Sequence, residues 1–391
     1  MFNKPPQEGK RDMILLIVVL VLILVGTVMV FSSSHRLAEV KYNDSEFFLR
    51  KQLCFLLAGI TLMFVFNWLP LQKMRAYIYP VLAVLGVLLA CVFFPQLGGK
   101  SVNGAARWLG IGGFSLQVSE LLKLTAVIFL ADHLSQKTNL QEDSLRGLLV
   151  PLLILSPLLA LVLLQPDYGN TAVIVAVSLV MVFLAGVKKR YLLIIGVCIM
   201  VAGVSLILLS PYRLERVLTF MTPLEHRYEG GYQLTQSLMS FGSGGPLGVG
   251  LGDGMQKLYF LPEAHTDFIF SIIAEETGLI GVAAVLFVFC VVIYRGMLIA
   301  LKSTDRFYSL LAAGITLLIS AQAIINIGCA MGLLPTKGLV LPFVSYGGTA
   351  FLVNMIAVGI LLNISMYNEK KSLTSLLRYT FRTEGRSSWK R

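Results

Sequence analysis

Charge is scarce in this chain of 391 residues: 14% are Asp, Glu, Lys or Arg, against about a quarter in an ordinary soluble domain. That excludes a disordered chain, which needs high charge and few apolar residues. Cysteine is equally thin. Cys54, Cys91, Cys198, Cys290 and Cys329 each fall inside an apolar stretch, with no C-x-x-C and no His-rich spacing, so neither a disulfide framework nor a zinc site is indicated. No strand and no βαβ alternation surround the Gly-rich run from Gly242 to Gly254, which excludes dinucleotide binding. Its glycines permit tight turns whose N–H groups can cradle an anion.

What the chain has instead is apolar length. Hydrophobic types make up 56% of it, with a mean hydropathy of +0.79, and they arrive in runs of about 20, the length of a bilayer-spanning helix. The first, Met13 to Ser33, is too long for a signal-peptide core of about 7 to 15 residues. Further runs occupy 52–69, 76–94, 118–134, 147–164, 169–186, 190–210, 267–295, 307–332 and 347–366. The expected fold class is therefore an all-α integral membrane protein of about ten transmembrane helices. It divides into an amino-terminal segment (1–12), a membrane domain (13–366) and a basic tail (367–391).

Along this path 20 Lys and Arg fall on the side of both termini and 12 on the other, so the termini are expected in the cytoplasm. The net charge of +11 is then mostly an insertion signal plus a tail facing anionic lipid or a cytoplasmic partner. Nucleic acid is not needed to explain it. The same path puts 211–266, the longest connection, outside the membrane between the seventh and eighth spans. Leu234, Leu238 and Phe241 are spaced there as on a short interfacial helix. A second outer loop, Pro95 to Gln117, carries Gly98, Gly99, Gly104, Gly110, Gly112 and Gly113 around Arg107-Trp108 and reads as a mobile or re-entrant segment.

Charged residues in or beside spans are costly and mark candidate sites. Glu120 and Lys123 stand three apart, as a substrate contact or a self-neutralised packing pair. Glu275 and Glu276 have no basic residue within helical reach, so they are protonated, paired with another helix, or open to water. Asp267 closes the long loop, and with Ser271 and Glu275 it would form a polar stripe of about 12 Å down one helix face. Asp267 or Thr266 would equally serve as a helix N-cap. Arg50, Lys51, Arg107, Lys123, Arg213, Arg216 and Lys337, all on the outer side, suit either a phosphate ligand or lipid headgroups.

Several stretches resemble one family closely. Tyr232-Gln-Leu-Thr-Gln-Ser, Gln256-Lys257, Leu261-Pro-Glu-Ala-His-Thr-Asp-Phe-Ile-Phe and Leu334-Pro-Thr-Lys-Gly-Leu-Val-Leu-Pro-Phe-Val-Ser-Tyr-Gly-Gly348 resemble the SEDS family (shape, elongation, division, sporulation) over nearly the whole chain. Pro335-Thr-Lys-Gly338 and the Pro-Glu-Ala-His stretch resemble its division-type members. The resemblance implies a bacterial glycosyltransferase that polymerises lipid II at the outer face of the cytoplasmic membrane, at the division septum. It implies as partners a class B penicillin-binding transpeptidase and other membrane proteins of the division machinery. Asp267 matches the family's catalytic residue, with Arg107, Glu120, Lys123, His265, Lys337 and Ser345 as substrate-binding positions. The chain departs from the family's Q-P-S-E at Gln117-Val118-Ser119-Glu120, and Ser210 stands where division members often carry an acid.

The chemistry implied is simple. The acceptor 4-hydroxyl loses a proton as it attacks C1 of the donor, a carboxylate suffices as base, and the pyrophosphate leaves without a general acid. A divalent cation such as Mg2+ or Mn2+ would suit that pyrophosphate. The rival readings are a transporter for the same lipid and an inactive scaffold that recruits the transpeptidase, in which Asp267 is a cap alone.

Overall fold

The structure is a computed structural model that describes residues 10–387 apart from 103–104, 112–113, 137–143, 229 and 259. The expected glycines Gly104, Gly112 and Gly113, the start of the amino-terminal segment and the end of the basic tail lie outside the described residues, as does the Arg213 side chain.

Helices form where the apolar runs lie, because a backbone in hydrocarbon must satisfy its own hydrogen bonds. They are α1 (Met13–Tyr42), α2 (Phe47–Trp68), α3 (Leu71–Ala76), α4 (Ile78–Cys91), α5 (Val118–Ser135), α6 (Ser144–Leu164), α7 (Tyr168–Leu184) and α8 (Lys189–Leu208). The long loop contributes α9 (Pro211–Met221) and α10 (Tyr232–Gly244), followed by α11 (Ile269–Lys302), α12 (Arg306–Ala330) and α13 (Gly348–Ser387). Among the described residues, five of these are long and apolar enough to cross a membrane: α1, α2, α11, α12 and the Gly348–Glu369 part of α13. Each of the other expected runs also holds a helix, but some are short or charged. The 14 residues of α4 rise about 21 Å, less than a bilayer core of about 30 Å, and α5 carries Glu120, Lys123 and Asp132.

The loop expected to be mobile is instead a small sheet. Strands β1 (Gly99–Val102), β2 (Ala105–Ile111) and β3 (Phe114–Gln117) form an antiparallel meander in the order β1-β2-β3. Asn103-Gly104 and Gly112-Gly113 stand between them in the sequence, the dipeptides that two-residue hairpin connections favour. Trp108 pairs with Gln117, which fixes β2 against the start of α5.

The centre of the bundle is α5, α12 and α13, which are buried on most faces. Helices apolar on every side belong there. In contrast α2 turns Leu57, Val65 and Trp68 outward. At the ends of the bundle, Arg295 grips Asp12 through its Nε and Nη2 (Nη2 to Oδ2, 2.6 Å), and Arg75 pairs with the buried Asp132.

The α11 helix is not continuous. Gly278 has φ +64, a left-handed break inside the run. The Gly-rich loop docks on that break: Val249 N donates to Glu275 O (3.0 Å), Gly250 N to Glu276 O (3.1 Å) and Leu279 N to Gly245 O (2.9 Å). A Cβ on Gly278 would come within 2.3 Å of Gly248 N. Only glycine supplies both the φ and the space.

Candidate active site

The anion-cradling capacity of the Gly-rich loop is used on the chain's own acids. Met255 N (2.8 Å) and Gln256 N (3.2 Å) donate to Glu275 Oε1. Glu276 Oε1 accepts from Lys257 Nζ (2.6 Å) and Ser32 Oγ (2.7 Å), and its Oε2 from Gly252 N (3.1 Å). The pairing partner is thus the loop and α1. The expected polar stripe is broken up likewise: Ser271 Oγ lies 2.6 Å from Ser237 Oγ, and Asp267 precedes the helix.

Glu120 and Lys123 do pair: Lys123 Nζ donates to Glu120 Oε1 at 2.8 Å, with both side chains buried. Glu120 Oε2 has no hydrogen-bond partner. Ser345 Oγ accepts from Leu341 N at 2.8 Å and shapes the turn before α13. The His265 ring packs between Phe48 (4.8 Å) and Tyr346 (5.8 Å), centroid to centroid. Burial holds the His265 imidazole below its ordinary pKa, with Glu263 opposing and Lys41 adding to the effect.

Asp267 is not the cap of α11. The N-cap is Phe268, without a side-chain cap hydrogen bond. The turn ahead of the helix is closed by one backbone carbonyl: Glu263 O accepts from Thr266 N (3.2 Å), Asp267 N (3.1 Å) and Phe268 N (3.2 Å), and Phe268 O takes the first-turn Ser271 N (3.0 Å). Glu263 can aim its carbonyl this way because its φ is +55. Capping therefore makes no demand on the Asp267 carboxylate. Burial pushes its pKa up to about 7, with Glu263 adding and Arg107 opposing.

Arg107, which acts on this carboxylate, and Lys337 both meet the Gln165–Tyr168 turn. Arg107 Nε donates to Gln165 O (3.2 Å) and Nη2 to Pro166 O (2.6 Å), while Lys337 Nζ stands 5.7 Å from the Tyr168 ring centroid. A Cβ on Gly338, the residue after Lys337, would lie 3.4 Å from Asp267 Oδ2. Asn326 of α12 clamps the two chains together, donating to Asp267 O (2.8 Å) and Leu339 O (2.6 Å). Sequence reading passed over Asn326, although an Asn inside an apolar helix is a signal of that kind. Gln165-Pro-Asp-Tyr-Gly169, which separates the apolar runs 147–164 and 169–186 in the sequence, supplies the carbonyls that hold Arg107.

The result is one partly buried carboxylate poised near neutrality, with an arginine acting on it and a lysine on the turn that receives that arginine. Such a set can take a proton from a hydroxyl and hold a developing phosphate charge. Among the described residues no three His, Cys, Asp or Glu side chains cluster to hold a metal. The donor set does not make a resident metal site, and no step is assigned to a divalent cation.

A model described as cell cycle protein, covering FtsW, RodA and SpoVE, matches residues 12–370. A protein of Trichlorobacter lovleyi named probable peptidoglycan glycosyltransferase FtsW is 41% identical over 363 residues, 93% of this chain and 95% of the relative. One of the same name from Coxiella burnetii is 41% identical over 372 residues, 94% and 100%. Stage V sporulation protein E of Bacillus subtilis is 38% identical over 362 residues, 93% and 99%. Among solved structures, a chain of a peptidoglycan synthase complex described as coordinating polymerization and crosslinking superposes with a TM-score of 0.76 at 27% identity, covering 92% of this chain and 98% of that one. The rod shape determining protein RodA of Thermus thermophilus gives 0.67 at 26%, covering 91% and 96%.

Proposed function

Because this chain belongs to the cell cycle protein family of FtsW, RodA and SpoVE, we propose that it is a division-type peptidoglycan glycosyltransferase that polymerises lipid II. The observation that carries the mechanism is the Asp267 carboxylate, free of the capping role and raised to about 7. It accepts the proton of the acceptor sugar's 4-hydroxyl as the oxygen attacks C1 of the donor. One displacement inverts that carbon and releases undecaprenyl pyrophosphate. The leaving group is a stable anion, so a second carboxylate acting as acid is not required, unlike in glycosidases. Arg107 and Lys337 bind the donor pyrophosphate, whose charge is present before transfer, and keep hold of it as it departs, Glu120 and Lys123 support the same wall, and His265 and Ser345 shape it.

The active site faces outward, both termini are cytoplasmic, and the ten helices in the apolar runs are the spans. The 20 to 12 basic asymmetry supports this topology, and a cysteine placed at Ser243 reacts with an impermeant reagent in intact spheroplasts if it holds. The protein works at the septum with a class B transpeptidase and other division proteins. A transporter reading loses its footing because Glu275 and Glu276 are consumed by the loop.

The test is gel-resolved glycan product from lipid II, made by purified protein with its transpeptidase. Asp267→Asn keeps the size of the side chain and lowers product by about 10² to 10⁴-fold while partner binding persists. Full polymerisation by that variant refutes the assignment.

A further inference from the structure

The residue before Tyr168 is the N-cap of α7, but its buried carboxylate does more than cap. Asp167 is 2% exposed, yet its Oδ2 accepts from Ser119 Oγ (2.8 Å), Asn170 Nδ2 (2.9 Å) and Gln117 Nε2 (3.1 Å), and Oδ1 accepts weakly from Asn170 N (3.4 Å). Ser119 and Gln117 belong to a different part of the chain, the start of α5 and the end of β3. Charge-assisted bonds of this kind are the strong ones, and here they are out of water.

Two consequences meet at Arg107. Its guanidinium rests on Gln165 O and Pro166 O, the carbonyls just before Asp167. Its backbone is in β2, whose Trp108 pairs with Gln117, the residue that reaches Asp167. Asp167 therefore fixes both the strand that carries Arg107 and the carbonyls that receive it. Through the next residue it also sets the Tyr168 ring beside Lys337 Nζ.

We infer that Asp167 is a positioning residue: it ties the β2–β3 sheet to the Gln165–Tyr168 turn, and through that tie it holds Arg107 and Lys337 at the reacting pyrophosphate. This rests on the proposed polymerase reading. Asp167 does not itself touch substrate. Glu263 on its own loop and Arg107 from β2 act on Asp267, Asp267 and Lys337 both act on the Cys329 thiol of α12, and the Gly338 backbone next to Lys337 passes beside the Asp267 carboxylate. Only Arg107 and Lys337 depend on the tie.

The experiment follows lipid II polymerisation across about pH 5.5 to 9 in full-length protein with its transpeptidase, for wild type, Arg107→Gln, Asp167→Asn, Gln117→Met and the double variant Asp167→Asn/Arg107→Gln. Losing the nearby guanidinium raises the pKa of the Asp267 base, so the acid limb of the rate profile moves up by about half a unit, less than for a contact pair. Asp167→Asn is expected to move it in the same direction as Arg107→Gln. It should also raise KM by about tenfold, the loss of one charge-assisted contact, with the plateau kcat within about twofold. The double variant should fall short of the sum of the two single effects, because the Arg107 share is already lost in Arg107→Gln.

Asp167→Asn puts an amide among three donors and can fail to fold. Gln117→Met then decides, because it cuts the tie from the strand side alone. A wild-type acid limb and KM in either variant that folds, beside a shifted Arg107→Gln, overturns the inference, even if the thermal midpoint falls. Additive KM effects in the double variant overturn it as well. Failure of the general-base reading shows separately, as full activity in Asp267→Asn, and the KM coupling between Asp167 and Arg107 still judges the tie.

Discussion

Replacing Glu263 by Gln isolates one electrostatic effect on the proposed base. The Glu263 carbonyl that closes the turn before α11 belongs to the backbone and stays, and Thr266 Oγ1, which donates to Glu263 Oε2 at 2.9 Å, finds the amide oxygen instead. What goes is a negative charge that adds to the raised pKa of Asp267. Two unit charges about 8 Å apart at an effective dielectric constant of ~40 repel by about 1 kcal/mol, or about 0.8 of a pKa unit, and the Glu263 effect is taken at that size. A base at about 7 would then titrate near 6.2. At pH 6 the ionised fraction rises from about 9% to about 40%, a gain of roughly fourfold in polymerisation rate, while at pH 8 both forms are almost fully ionised and the rates agree. The assay is initial rate of glycan formation at the two pH values in low salt, repeated at high salt, where screening shrinks the gain. An equal gain at both pH values, or none at pH 6, refutes the argument that Glu263 tunes the base.

Asp267→Asn should also stabilise the protein, because the folded carboxyl is raised above its ordinary value and its ionisation opposes folding. The gain in thermal midpoint in detergent is absent below about pH 4, grows as the pH rises to about 7 and is level above that. Lys257→Met strands Glu276, whose side chain is fully buried, and should cost about 3–5 kcal/mol in denaturant unfolding; the double variant Lys257→Met/Glu276→Gln recovers most of it, and no recovery would detach the pair from stability. Gly278→Ala meets both a left-handed φ and the Gly248 backbone, at a cost of about 2 kcal/mol or more. Hydrogen exchange should rise across 245–257 first, and unchanged protection there would contradict the docking of that loop.

The apolar runs could be read because period and length alone decide them, and Asp267 stood out because an acid at the mouth of a span is rare. Its surroundings were harder. The helix start looked like a side-chain cap because Thr and Asp are the usual cappers, yet the turn before it is closed by the Glu263 backbone carbonyl, and a left-handed residue leaves no mark in composition. Glu275 and Glu276 allowed three outcomes, and the choice depended on a loop folding back across the Gly278 break, a long-range event. The sheet at 99–117 was legible in Asn103-Gly104 and Gly112-Gly113, but six glycines drew the reading toward mobility. Asp167 was hidden by its neighbours: Pro166 and Gly169 marked a turn, and nothing local indicated that its carboxylate would meet Ser119 and Gln117, 48 and 50 residues earlier.

The contact of Glu276 with Ser32 spans 244 residues, whereas its contact with Lys257 spans 19. A ribosome adding about 5–20 residues each second makes Lys257 about 1–4 s before Glu276, but Ser32 about 12–50 s before. The α11 segment thus reaches the translocon with its countercharge already synthesised just ahead of it, so acid and base can be delivered as a neutral pair. Nascent chains arrested just past α11, carrying Lys257→Met, would show the segment inserting poorly if this order matters. On that account the salt bridge is a device of biogenesis as well as of the finished fold, whereas the Ser32 hydroxyl reaches Glu276 only by the packing of α1 against α11.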